Sequence, residues 1–208
     1  MERKHQIRLY ADSLGLPRPG VVTNDERYLS LFVKWYKEKH NTEPEIVDHS
    51  RSNTTIKDLC AWFIEDNRYF GNKADVIILQ EGIVDCAPRP IPRKVRNLVS
   101  KLPGFLKKRV IKFLHNNRAK LQNFGLKYFI VKPKDFAEEY KKFLNEAAKA
   151  AERVYVFNIV PTNDEIEAQS PGLKKSIDDY NKIISDVVKE MNLKNVFCQI
   201  YPECPNII

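Results

Sequence analysis

At 208 residues, with 43% hydrophobic and 30% charged side chains, the chain is long enough to bury a core and too apolar to stay disordered. No apolar run reaches bilayer-spanning length. The charged opening Met1-Glu2-Arg3-Lys4-His5 lacks a signal peptide's apolar stretch, so a cytoplasmic protein is expected. The net charge of +8 is uneven: of 35 Lys and Arg, 14 lie between Cys86 and Lys134 without one Asp or Glu, and the rest carries 21 against 27 acidic residues. The basic character belongs to one segment, and it bears on partners rather than on the fold.

In chain order, Ile7-Arg8-Leu9-Tyr10 reads as a strand running into the polar turn Ala11-Asp12-Ser13-Leu14-Gly15. Val21 to His40 reads as a helix, with Asn24 as N-cap, Asp25 and Glu26 in the first turn, and an apolar face of Tyr28, Leu31, Phe32, Trp35 and Tyr36. Pro44 to His49 is a short strand. Thr54 to Tyr69 is a helix through Ile56, Leu59, Cys60 and Phe63. Asp75 to Gln80 is a continuous apolar run of the kind covered on both faces, and it enters the turn Gly82-Ile83-Val84-Asp85. Val95 to Asn123 is helical, broken near Pro103-Gly104. Leu126 to Val131 is a short strand or an extended link. Pro133 to Glu152 is an amphipathic helix, Arg153 to Val160 a strand, Pro171 to Met191 a helix, and Val196 to Tyr201 the last strand.

Strands and helices alternate without hairpin signals. The pattern predicts an α/β fold: a three-layer α/β/α sandwich on a mostly parallel five-stranded sheet, with a basic helical insertion at about 88–125 in one domain. Sites in such sheets form at the carboxyl ends of the strands. Three polar turns lie there: Asp12-Ser13, His49-Ser50 to Thr55, and Gly82 to Asp85. The cysteines Cys60, Cys86, Cys198 and Cys204 show no metal-ligand spacing and read as free thiols.

These turns resemble the sequence blocks of the SGNH/GDSL hydrolase family, and more narrowly SGNH-like proteins of bacterial surface-polysaccharide biosynthesis. The resemblance covers roughly residues 5–85 and 153–201 and implies the strand order 2-1-3-4-5. Ala11-Asp12-Ser13-Leu14-Gly15 resembles the first block, with Ala11 where the family has Gly. It makes Ser13 the nucleophile and groups Asp12 with it as a catalytic candidate. Arg51-Ser52-Asn53-Thr54-Thr55 stands at the second block, where the family uses a Gly N–H for the oxyanion; here Ser52 or Asn53 would serve. Gly82-Ile83-Val84-Asp85 resembles the third block, Gly-x-Asn-Asp, with Val84 in place of the oxyanion-binding Asn and Asp85 fixing the turn. The family's Asp-x-x-His after the last strand has no counterpart in Tyr201 to Ile208, so either the chain is truncated before that block or the triad is incomplete.

Outside the blocks, His49 is the histidine at a strand end near Ser13 and is expected to bind ligand at the rim, cap the next helix or act as a base. Arg51 and Arg89 are expected to face each other and receive an anionic sugar or phosphate. The resemblance implies an esterase or acyltransferase, acetyl first, acting on an acylated sugar or polysaccharide precursor, with no metal or organic cofactor. The alternative is a catalytically incomplete module that binds an anionic glycan or a membrane-associated partner. Residues 93–120 pair an apolar stripe with Lys107, Lys108, Arg109 and Lys112. They pack on the domain, lie on an anionic membrane surface at the inner face, or form a lid. No nucleic-acid motif is present. A flavodoxin-like regulator or nucleotide binder is the poorer reading, for want of a Gly-rich phosphate loop.

Overall fold

The computed structural model describes residues 5–71 and 73–199. Five parallel strands form one sheet in the order β2-β1-β3-β4-β5: β1 Gln6–Ala11, β2 Glu45–Ser50, β3 Ala74–Gln80, β4 Ala151–Phe157 and β5 Val196–Gln199. The order agrees with the expectation. The end of the last expected strand, Cys204 and the tail through Ile208 lie outside the described residues.

The two faces of the sheet have different covers. Tyr10, Ile77, Leu79, Val154 and Val156 point into the larger core. There they meet the helices α2 (Ile56–Phe70), α7 (Pro133–Ala150) and α9 (Leu173–Met191). The alternate residues Ile7, Leu9, Ala11 and Ile78 pack under α1 (Tyr28–His40) through Leu29 and Tyr36. This follows from the period-2 alternation of strands and the right-handed crossover of each β-α-β unit. Crossing leftward from β1 to β2 puts α1 on one face, and each later rightward crossing puts its helix on the other.

Two elements differ from expectation. The first long helix starts at Tyr28, not Val21. Arg18 and Val22 instead exchange backbone hydrogen bonds across a turn (2.7 and 2.9 Å), and Glu26 folds back to accept from the N–H and hydroxyl of Thr23 (2.9 and 2.8 Å). A short helix, Asp164–Gln169, was not expected. Its N-cap Asn163 accepts from the Ile166 N–H.

Between β3 and α7 the chain makes a single helical turn, α3 (Ile83–Cys86), then three helices: α4 (Arg93–Ser100), α5 (Gly104–Asn116) and α6 (Arg118–Asn123). The Asp164–Gln169 helix is α8. Leu126 to Val131 is a link, touched down at one bridge where Arg89 and Tyr128 exchange hydrogen bonds of 2.8 and 2.9 Å. No helix of the described residues is long and apolar enough to cross a membrane.

The main core centres on an aromatic cluster in which Phe63 of α2 meets Tyr10 of β1 (5.4 Å between ring centroids) and Phe143 of α7 (5.0 Å). Phe63 is fully enclosed. Phe63→Ala should cost about 3–5 kcal/mol of unfolding free energy in urea denaturation; a loss under 1 kcal/mol would show that these layers are not packed as described.

Candidate active site

Strand register builds the site. Ala11 pairs with Ser50 on one side and with Gln80 on the other, so β1, β2 and β3 end level. Backbone hydrogen bonds carry the pairing past the strand ends: Arg51 N–H to Ala11 C=O and Asp12 N–H to Gln80 C=O, both 3.1 Å. All three polar turns therefore emerge at one edge.

The first turn is a short 3-10 helix, Ser13–Gly15. Asp12 caps it by accepting from the Leu14 N–H at 2.7 Å. Ser13 begins the turn and is half-buried. Gly15 is needed for space: a Cβ there would lie 2.5 Å from Ser50 Oγ and 2.9 Å from Ala11 Cβ. In the second turn Asn53 takes the left-handed conformation, φ 59°. Asn tolerates it better than most side chains, and glycine takes it freely. Thr55 then starts α2 with a capping box shared with Asp58. In the third turn Gly82 has φ 135°, and a Cβ there would meet Ile159 at 2.5 Å.

Ser13, Ser52, Asn53, Val84 and Arg89 line one cavity of about 300 Å³. Its far wall comes from α8 and the start of α9, through Ile166, Gln169, Ser170 and Leu173. The N–H groups of Ser52 and Asn53 donate to no protein acceptor among the described residues. Arg118, not singled out by sequence, also lines it.

The other expected residues have different surroundings. His49 Nε2 lies 2.9 Å from Asp66 Oδ1, and its ring stacks on Tyr10 (5.5 Å) and Trp62 (5.9 Å), so it is held under α2 and does not line the cavity. Arg51 sits over the Trp62 ring at 4.6 Å and does not face Arg89. The arginine that shares Arg89's cavity is Arg118. No histidine lines this cavity among the described residues.

Behind the cavity lies a buried acidic cluster. Asp12, Glu81 and Asp85 are 1%, 1% and 0% exposed. Asp85 accepts from the Ile56 N–H at the start of α2, and Glu81 accepts from the Gly82 N–H at 2.9 Å. Both carboxyls thus pin the third turn. Burial raises Asp12 to about 6, against the hydrogen bonds from Leu14 and Ile83 that pull it down. Burial, then the charges of Asp85 and Asp12, drive Glu81 far above the ordinary carboxylate range, and burial raises Asp85 as well. Burial and mutual repulsion thus push this pair toward its protonated form.

No family model matches the chain. No curated protein matches it either. Solved structures do match in fold. A lipase/acylhydrolase from Enterococcus faecalis superposes with a TM-score of 0.57 at 12% identity, over 92% of this chain and 74% of that one. AlinE4, an SGNH-hydrolase family esterase, gives 0.56 at 11% identity, over 100% and 84%. Axe2, an acetylxylan esterase from Geobacillus stearothermophilus, gives 0.52 at 15% identity, over 91% and 74%. The fold is that of the SGNH hydrolases.

The acidic cluster has a consequence for stability. Carboxyls raised by folding bind protons that the unfolded chain has already lost, so stability is greatest at low pH and falls as pH rises from about 4 through 7. For Asp12 alone, a rise from 3.8 to about 6 corresponds to about 3 kcal/mol. Asp48, Glu26, Asp164 and Glu167 shift downward and act below that window. Melting temperature should therefore be higher at pH 5 than at pH 8, and Glu81→Gln should flatten the difference. An equal slope in the variant would remove Glu81 as a source of it.

Proposed function

We propose that this chain is an SGNH-type serine esterase acting on an O-acyl group, acetyl first, of a carbohydrate. The carrying observation is that Ser13 lines one cavity with Ser52 and Asn53, whose N–H groups have no protein acceptor among the described residues, and that Asn53 holds the left-handed conformation a glycine would supply. In this reading Ser13 Oγ attacks the ester carbonyl. The N–H groups of Ser13 and of Ser52 or Asn53 hold the oxyanion. Collapse of the tetrahedral intermediate breaks the ester C–O bond and expels the sugar hydroxyl, which takes the proton from the base; water, or a second sugar hydroxyl if the enzyme transfers, then takes the acyl group and frees Ser13. Val84 brings no side-chain donor, at a cost of about 2.7–4 kcal/mol relative to an asparagine there. By the resemblance, the proton goes to a histidine of an Asp-x-x-His block, a motif that Val196 to Ile208 does not contain, so this reading needs that base supplied from outside the 208 residues.

The acetylxylan esterase among the structural neighbours favours a sugar ester, and a surface-polysaccharide precursor is the substrate we infer. A second reading has support in the lining of the cavity, which lacks a histidine among the described residues: a non-catalytic module that binds an anionic glycan. The exposed Leu98, Phe105, Phe113 and Phe124 beside the lysines of α5 and α6 favour peripheral seating on an anionic membrane surface, at the inner face in a cytoplasmic protein.

Hydrolysis of p-nitrophenyl acetate distinguishes these readings. Ser13→Ala should lower kcat/KM by roughly 1000-fold or more. Asn53→Gly should retain activity, and Asn53→Ala, strained by about 1–2 kcal/mol in this conformation, should lose roughly tenfold. Background hydrolysis by the folded wild type, unchanged in Ser13→Ala, would favour the binding module.

A further inference from the structure

A second cavity, of about 380 Å³, opens between α4, α5 and the Arg89 loop. Arg89 and Arg118 line it and also line the cavity of Ser13, so these two guanidinium groups form the partition between them. Arg96 and Lys107 add charge from the insert, and Val99, Ile111 and Leu114 supply apolar wall. Among the described residues, no carboxylate lines either cavity.

The arginines are built into the fold. Arg118 spends one terminal nitrogen on Pro88 C=O (3.0 Å) and Ser170 Oγ (2.7 Å), which fixes its plane across the partition. Gln122 also donates to Pro88 C=O, at 2.7 Å, and steadies the same loop. The Nε of Arg118 and the Nε of Arg89 are both buried without a partner among the described residues. Burial, then the charges of Arg118 and Arg96, together lower Arg89 to about 10. Like charges held together and short of acceptors are costly unless an anion completes them. A planar guanidinium fork matches a tetrahedral oxyanion in two-point contact.

We infer that Arg89 and Arg118 bind the phosphate of an amphipathic phosphate ester, whose apolar chain lies along Val99, Ile111 and Leu114 and whose acylated end reaches Ser13. This rests on the esterase reading for the role of Ser13, and names the class of substrate that site would take: an acyl ester carried on a lipid-like phosphate.

Calorimetric titration of the whole protein with inorganic phosphate and with dodecyl phosphate tests it. Wild type should bind both, dodecyl phosphate at least roughly tenfold more tightly through the buried chain. Arg89→Gln and Arg118→Gln should each weaken phosphate roughly tenfold, while Lys120→Gln, an exposed charge of α6 outside both cavities, should not. The Arg89 side chain makes no hydrogen bond among the described residues, so its variant separates lost recognition from a loosened insert. Absence of phosphate binding in the wild type, or an equal loss in Lys120→Gln, overturns the site. Equal affinity for the two probes overturns the apolar half. Ser13→Ala should keep wild-type phosphate affinity. Phosphate binding without ester hydrolysis would thus sink the esterase reading alone, and hydrolysis without phosphate binding would sink this inference alone.

Discussion

The level ending of β1 between β2 and β3 is the constraint on which the candidate site depends. Ala11 opposite both Ser50 and Gln80, continued by the hydrogen bonds of Arg51 and Asp12, places three separate turns around one cavity. A slip of one residue would turn each strand's apolar set to the wrong face and carry Ser13 away from Asn53. The apolar faces of β1 and β3, packed under α1 on one side and α2 with α7 on the other, prevent that slip.

The turns are then stiffened from behind by carboxyls that sit where water cannot reach them. Asp85 ties the third turn to the first N–H of α2, and Glu81 holds Gly82 in a conformation few side chains adopt. Burying three acids together is unfavourable, and protonation lowers the penalty. The result is a rigid floor under Ser13. The opposite wall, from α8 and the arginines of the insert, is made of elements distant in sequence and held by side-chain contacts such as Arg118 to Ser170.

Much of this was legible in the sequence because its signals are local. The apolar runs ending in polar turns gave the strands, and the alternation with helices gave the parallel order. The turn residues placed Ser13, Ser52, Asn53 and Val84 in one cavity, though only the backbone angle of Asn53 shows which residue stands where a glycine would. The beginning of α1 was hidden because Asn24-Asp25-Glu26 looks like a cap, while Glu26 instead closes a turn on Thr23. The cap of α8, Asn163 followed by Asp164 and Glu165, was present but heads a helix of six residues, too short for periodicity. His49 and Arg51 depended on partners across the fold: Asp66 and Trp62, both from α2, draw them away from the cavity. Arg118 had no local signal at all, since only the folded insert brings it beside Arg89.

The central claim is that Ser13 is a reactive nucleophile. The most direct measurement is intact mass and peptide mapping after exposure of the folded protein to a fluorophosphonate. The account predicts one stoichiometric adduct, on the peptide that carries Ser13, and none in Ser13→Ala. A folded protein that takes no adduct, or one whose adduct persists in the variant, would contradict it.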